Sequence, residues 1–280
     1  MHSRSAGGGV VAAIRWLREG LAWRLISARR QWFLLRSFRN GLALARHHRR
    51  REPSDRAICW DGTVLAHPSG RMGLTETLVE IWYDQVYTKG FPRSGPGDVV
   101  IDAGANVGLF SAWIARRYPD ARVLAFEPFP ENFELLSRNV ASAGRRVVCY
   151  QAGLSGLGGR GRIRDGGARS LDHRLERLPG GSPAEGGVQL YSFSDVLALA
   201  GSGEIALFKI DIEGSEHDLL DAAPDPEVAR VRRFAIEYHD NIRPGTSARL
   251  AERLERTHRV VTRPAGPGYG MIYAVARQVQ

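Results

Sequence analysis

Apolar and polar positions fall into regular blocks along most of the chain. From residue 98 to 152 they predict a strand at 98–102, a helix at about 108–117, a strand at 122–127, a helix at 130–143 and a strand at 147–152. The strand segments (DVVID, RVLAFE) are nearly unbroken apolar runs, the mark of strands buried on both faces, so this order predicts a parallel sheet covered by helices. It resumes with a helix in SFSDVLALA, a strand in IALFKID, a helix in SEHDLLDAA, a strand in VRRFAIEY, a helix near 246–256 and two last strands, HRVVTR and GMIYAVAR. Upstream, AICWDGTVLA alternates around Asp61-Gly62 and predicts a hairpin, and TETLVEIWYDQVY predicts a helix. Residues 156–187, rich in Gly and Arg, carry neither period and predict a loose hairpin on the surface where a third helix would otherwise lie.

The first 56 residues follow a different rule. Ile14, Leu17, Leu21, Leu25, Ala28, Trp32, Leu35 and Leu42 recur at mostly helical spacing with arginines between them, which predicts an amphipathic helix interrupted near Gly41. Charge sharpens the contrast. The chain carries a net +9, yet twelve arginines and a single glutamate fall within residues 1–51, leaving the remainder slightly acidic. Domain division therefore reads as a basic helical arm, 1–56, and a catalytic-size domain, 57–280. Two roles suit the arm: docking its apolar face on protein, or lying as a peripheral contact on the anionic inner face of a membrane. The globular part has no basic stripe with interleaved aromatics, which argues against nucleic acid. No stretch of about 18 apolar residues marks a membrane span. Cys59 and Cys149 stand far apart in no metal-ligand spacing, which fits a reducing, cytoplasmic setting.

Candidate chemistry begins at VVIDAGANVG. In an open parallel sheet, ligands bind beyond the carboxyl ends of the strands, where this segment turns from strand to helix. Gly104 and Gly108 allow close backbone approach, but Asn106 stands where a dinucleotide loop has its middle glycine. Its amide tolerates a left-handed backbone yet occupies the space of a pyrophosphate, so the loop suits a polar ligand without a diphosphate. S-adenosylmethionine is such a ligand. Asp102 is then the expected partner of its ammonium group, loop N–H groups of its carboxylate, and Glu127, nineteen residues beyond Gly108, of its ribose hydroxyls. That spacing alone also allows an NAD-dependent oxidoreductase, and the arm allows a non-enzymatic membrane-surface protein.

LFKIDIEGSE delivers a second group of acids to the same sheet edge. Asp211 and Glu213 sit in the turn, while Glu216 falls in the first turn of a helix, where any acid is favourable. Two adjacent acids need a compensating charge, and Lys209, one of only two lysines among 39 basic residues, stands beside them. FAIEYHD adds Glu237 and His239 one strand further on. Asp211 or His239 is the expected base for an attacking hydroxyl. Asp211, Glu213 and Glu237 offer oxygen donors that suit magnesium, but no metal is assigned to them.

VVIDAGANVGLFSAWIA, VLAFEPFPENFELLSRNV, LFKIDIEGSEHDLL and FAIEYH together resemble the FkbM family of S-adenosylmethionine-dependent methyltransferases, over about residues 57 to 277. The resemblance implies a class I methyltransferase, an α/β Rossmann-like fold with a mostly parallel seven-stranded sheet, helices on both faces and a closing antiparallel pair. It implies O-methylation of a sugar, glycan or secondary metabolite. It assigns Asp102, Gly104, Asn106 and Gly108 to the cofactor loop, Glu127 to the ribose, and Asp211 and Glu213 to the acceptor side. Gly156 replaces an acid the family often carries near the adenine, so Ser155, Gln151 or packing by Phe129 is expected to serve there.

Overall fold

The computed structural model describes residues 25–91, 95, 97–164, 174–177 and 187–277. Ile14, Leu17 and Leu21 of the expected arm helix lie outside them. The chain forms two compact units, one ending at Asp84 and the other beginning at Gln85. The division at 56 and 57 is thus one of composition, and the hairpin and its following helix share a unit with the basic helices.

In the first unit, helix α1 (25–37) stops before Phe38 and α2 (Gly41–Arg50) starts afresh. A Cβ at Gly41 would overlap the carbonyl oxygens of Leu34 and Leu35, so only glycine allows this corner. The interruption expected near Gly41 is therefore a close approach of backbone. Strands β1 (Arg56–Ile58) and β2 (Val64–Ala66) pair antiparallel, with Gly62 at φ 91° in the turn, as Asp61-Gly62 predicts. Helix α3 (Leu74–Leu78) passes into a π-helical turn, Val79–Tyr83. Leu34, Phe38, Leu44, Leu65, Leu74 and Leu78 are buried, so the basic helices dock their apolar side on this unit. The Asn40 amide fixes that docking, donating to the Arg56 carbonyl (3.0 Å) and accepting from the Ile58 N–H (2.9 Å).

The second unit carries the expected parallel sheet. Its strands are β3 (Val99–Ala103), β4 (Arg122–Phe126), β5 (Val147–Tyr150), β10 (Ile205–Ile210), β11 (Arg233–His239), β12 (His258–Gly266) and β13 (Tyr269–Ala276), in the spatial order β12-β13-β11-β10-β3-β4-β5. β13 runs antiparallel between β11 and β12, closing the sheet as anticipated. Every residue of β3 and β10 is buried, which explains apolar runs broken only by Asp102 and Lys209. On one face, α6 (Phe193–Ala200), α7 (Glu216–Asp221), α8 (Asp225–Val228) and α9 (Thr246–Glu255) supply apolar side chains to a core in which Phe193, Phe208 and Phe234 stack in series. On the other, α4 (Leu109–Arg117) packs on β4, and α5 (Pro130–Asn139) follows β4. Local rules set the helix starts: Pro130 opens α5 at a position where its missing N–H costs nothing, and Ser192 with Asp195 forms a reciprocal capping box on α6.

The segment expected as a loose hairpin is more ordered than its composition suggests. β6 (Ala152–Leu154), β7 (Gly159–Arg164), β8 (Arg174–Arg177) and β9 (Val188–Tyr191) make a second sheet in the order β6-β9-β7-β8. The β7–β8 pair is the hairpin; β9 pairing parallel to β6 was not visible, because short strands rich in Gly and Arg lack the alternation that betrays a sheet. Phe208→Ala would empty the middle of the aromatic stack, and a loss of about 3–5 kcal/mol is expected in urea unfolding.

Candidate active site

Parallel β3, β4, β10 and β11 bring their carboxyl ends to one edge, and the following loops are tied together by backbone hydrogen bonds. The Gly104 and Ala105 N–H groups donate to the Phe126 carbonyl (3.1 and 2.9 Å), and Asp211 N–H donates to the Ala103 carbonyl (3.1 Å). Gly104, at φ 74°, lies so close to the Asp211 carbonyl that no Cβ fits between them. Gly104 thus admits a neighbouring strand end as well as lining the cleft. Gly108, at φ 81°, admits Leu136 of α5, where an added Cβ would lie 2.6 Å from its Cδ1.

A solvent-open cleft lies at this edge, lined by Gly104, Asn106, Phe126, Glu127, Pro128, Phe129, Asn132, Ala152, Gly153, Leu154, Asp211, Ile212 and Glu213. Glu127 is its buried polar centre. Its Oε2 accepts from the Asn106 N–H (2.7 Å) and its Oε1 from the Phe129 N–H (3.0 Å). Burial nevertheless pushes its pKa up to about 7, against those bonds, an Asn132 hydrogen bond and the Lys209 charge. A carboxylate oxygen accepts two hydrogen bonds, so Glu127 retains acceptor capacity for a vicinal diol. The apolar walls from Phe129, Leu154 and Ile212 suit a nucleoside base.

Several sequence-based assignments change. Asp102 is fully buried and does not line the cleft: its Oδ2 accepts from the Ser111 hydroxyl (2.6 Å) and its Oδ1 lies 3.3 Å from Lys209 Nζ. Side chains alternate along β3, and Asp102 faces the layer of α4. The loop N–H groups expected to meet a carboxylate are engaged within the protein; the Val107 N–H donates to the Asn106 Oδ1 and the Gly108 N–H to the Ala105 carbonyl (2.8 Å each). Asn106 does adopt the left-handed backbone anticipated, at φ 51°. Gln151 is exposed, and the Ser155 hydroxyl closes its own turn on the Leu157 carbonyl (2.6 Å). Neither lines the cleft, whose wall there is β6. Gly156 has a steric reason: a Cβ would stand 2.5 Å from the Asp218 carbonyl oxygen.

The second cluster assembles around Lys209, which is buried in register with Asp102. Its ammonium donates to the Gly104 carbonyl (2.6 Å) and the Ala103 carbonyl (3.2 Å) and lies 3.6 Å from Asp211 Oδ2. Burial opposes its charge, but Asp102 and Asp211 outweigh that and hold its pKa above the usual lysine value. Sequence reasoning missed Tyr87, whose hydroxyl lies 3.0 Å from Asp211 Oδ2 and 2.8 Å from Glu237 Oε2. It also took Glu216 for an ordinary helix-start acid. Glu216 is fully buried, and its Oε1 takes both the Gly214 N–H (2.9 Å) and His239 Nδ1 (2.9 Å). His239 turns Nε2 toward Glu213 Oε2 (3.5 Å), and Glu213 has a strained left-handed backbone, φ 53°. Burial works against the charged imidazole, yet the Glu216 bond and the charges of Glu216, Glu213 and Asp211 raise its pKa to about 9. Burial, then the charge of Asp211, push Glu213 up to about 7 while His239 opposes them.

Strand order and cleft together define a class I methyltransferase architecture. The chain belongs to the FkbM methyltransferase family: the model of the methyltransferase FkbM domain matches residues 102–257. It is 31% identical over 211 residues to methyltransferase sdnD of Sordaria araneosa, covering 62% of this chain and 79% of that protein. It is 34% identical over 211 residues to the 31-O-demethyl-FK506 methyltransferase FkbM of Streptomyces tacrolimicus, covering 64% and 80%. The solved structure of M. jannaschii TYW2 in complex with AdoMet aligns with a TM-score of 0.43 and 16% identity over 80% of this chain and 86% of that one. S-adenosylmethionine is the cofactor, and membership of a methyltransferase family decides against the NAD reading. The under-compensated Glu127 and the apolar walls beside it fit the nucleoside part.

Glu127→Gln should raise the S-adenosylmethionine dissociation constant about ten- to a hundredfold in calorimetry, the loss of hydrogen bonds to a charged group. Affinity of the unaltered protein should weaken as pH falls through about 7, because Glu127 then takes up a proton. Lys209→Met leaves two carboxylates without their cation, and about 3–5 kcal/mol should be lost in urea unfolding.

Proposed function

We propose that the protein transfers the methyl group of S-adenosylmethionine to a hydroxyl oxygen of a small-molecule or glycan acceptor, a sugar or secondary metabolite, with Glu213 as proton acceptor. The observation that carries this reading is the position of Glu213: its carboxylate lines the cleft beside His239, on a backbone conformation that only a fixed turn would maintain. A hydroxyl is a poor nucleophile until its proton has somewhere to go, whereas a free amine needs no base to attack. Likeness to the Streptomyces 31-O-demethyl-FK506 methyltransferase, named for an O-demethyl compound, supports the same class of acceptor.

Three groups compete for the role of base, and charge distribution favours one. His239 carries its proton at neutral pH because Glu216 and its acidic neighbours raise its pKa to about 9, so it holds a charge beside Glu213 and does not receive one. Asp211 is already engaged by Lys209 and Tyr87, which suits orientation of an incoming hydroxyl. Glu213, at about 7, exchanges a proton near neutrality. When bound, S-adenosylmethionine would supply an electrophilic methyl whose C–S electron pair stays with the sulfur, and an acceptor hydroxyl gives up its proton as its oxygen gains that methyl. Glu213 takes that proton, and the imidazolium limits the charge change.

The test is a mass-spectrometric search of cell extracts with S-adenosylmethionine bearing a carbon-13 methyl group. A product one methylene heavier, with the label at a methoxy shift in NMR, supports the proposal; label on nitrogen or carbon overturns it. With that acceptor, Glu213→Gln should lower turnover about 10²–10⁴-fold while cofactor affinity changes less than about twofold. The rate should rise through about pH 7 and fall above about 9 as Glu213 and then His239 lose their protons.

A further inference from the structure

Helix α1 buries one side and presents the other. Leu34 faces the core, while Leu25, Arg29, Trp32 and Arg36, spaced at four, three and four residues, form the opposite face. Leu25 is 53% exposed and Trp32 60%. The Arg36 guanidinium lies 5.6 Å from the Trp32 ring centroid. Trp60, from the turn after β1 and 62% exposed, joins the same face: its indole N–H donates to the Arg36 carbonyl (2.8 Å), and Arg39 donates to the Trp60 carbonyl (2.7 Å). Two tryptophans, three arginines and a leucine therefore share one continuous surface.

This is not the composition of a helix face that only meets water. Residues 25–51 contain eight arginines and no acid, so they supply no intervening negative charge of the kind that usually moderates a solvated helix. Tryptophan is favoured where one side of the ring is apolar and the other wet, the environment of a lipid headgroup layer. Arginines beside it match a negative surface, and each is worth about fivefold in affinity near anionic lipid. Single-stranded nucleic acid also stacks on tryptophan and attracts arginine, but it is held in a charged groove. Here Trp32 stands on the exposed ridge of α1 and Trp60 on the turn beside it, so the two rings share a convex face and line no groove.

We propose that the Leu25–Trp32–Trp60 face is a peripheral docking surface for an anionic lipid bilayer. The tryptophans enter the interface and Arg29, Arg36 and Arg39 lie at the level of the headgroups. The inference is independent of the methyl acceptor and of the catalytic assignments.

The test uses the full chain and co-sedimentation with vesicles of equal parts phosphatidylserine and phosphatidylcholine, beside vesicles of phosphatidylcholine alone. Binding to the anionic vesicles should exceed binding to neutral ones by at least about tenfold, weaken with added salt, and shift tryptophan emission to the blue. Trp32→Ser with Trp60→Ser should lower binding about tenfold or more, and Arg29→Gln with Arg36→Gln should do so with less disturbance of packing. Unfolding temperature and S-adenosylmethionine affinity serve as controls for intact structure. Equal binding to both vesicle types, no binding, or unchanged binding by both folded double variants would overturn the proposal. So would a single-stranded oligonucleotide that displaces the protein from vesicles at comparable charge concentration.

Discussion

A single buried ammonium holds the carboxyl edge of the sheet together. Lys209 lies between the ends of β3 and β10, where two carboxylates and two backbone carbonyls converge. Burying that many negative groups without a cation would be prohibitive, and the broad guanidinium that this chain uses almost everywhere else is far less compact. The ammonium joins what would otherwise be two separate halves: the glycine loop after β3, which helps shape the cleft, and the acidic turn after β10. The burial of Asp102 follows directly, because its carboxylate meets the ammonium on one oxygen and the Ser111 hydroxyl on the other.

The same economy governs the acid cluster. Glu216 lies at a helix start, yet its oxygen binds both a turn amide and an imidazole nitrogen, coupling the backbone of residues 213 and 214 to the charge on His239. Tyr87 adds a hydroxyl that touches Asp211 and Glu237. Acids thus stay close together through a cation, a phenol and an imidazolium, each supplied by a different element.

Much of this was legible in the chain. Nearly unbroken apolar runs mark β3, β4 and β10 because both faces of those strands are covered, and the position of Glu127 after β4 locates the buried carboxylate of the cleft. Asn106 has the left-handed backbone that its place between Gly104 and Gly108 suggests. What escaped detection depended on direction or on distance along the chain. Whether Asp102 points into the cleft or beneath it is a matter of strand pleat, which a strand-end position alone does not settle. Tyr87 lies more than a hundred residues from Asp211, and no local pattern links them. Glu216 satisfied a bland local rule so well that its second task was masked. The second sheet was hidden by arginine and glycine where alternating apolar residues were expected.

At the contact between Gly104 and the Asp211 carbonyl, main chain touches main chain. The spacing between the glycine loop and the acidic turn is therefore set by peptide geometry, and exchanging side chains around the rim of the cleft reshapes its walls without moving the two loops apart.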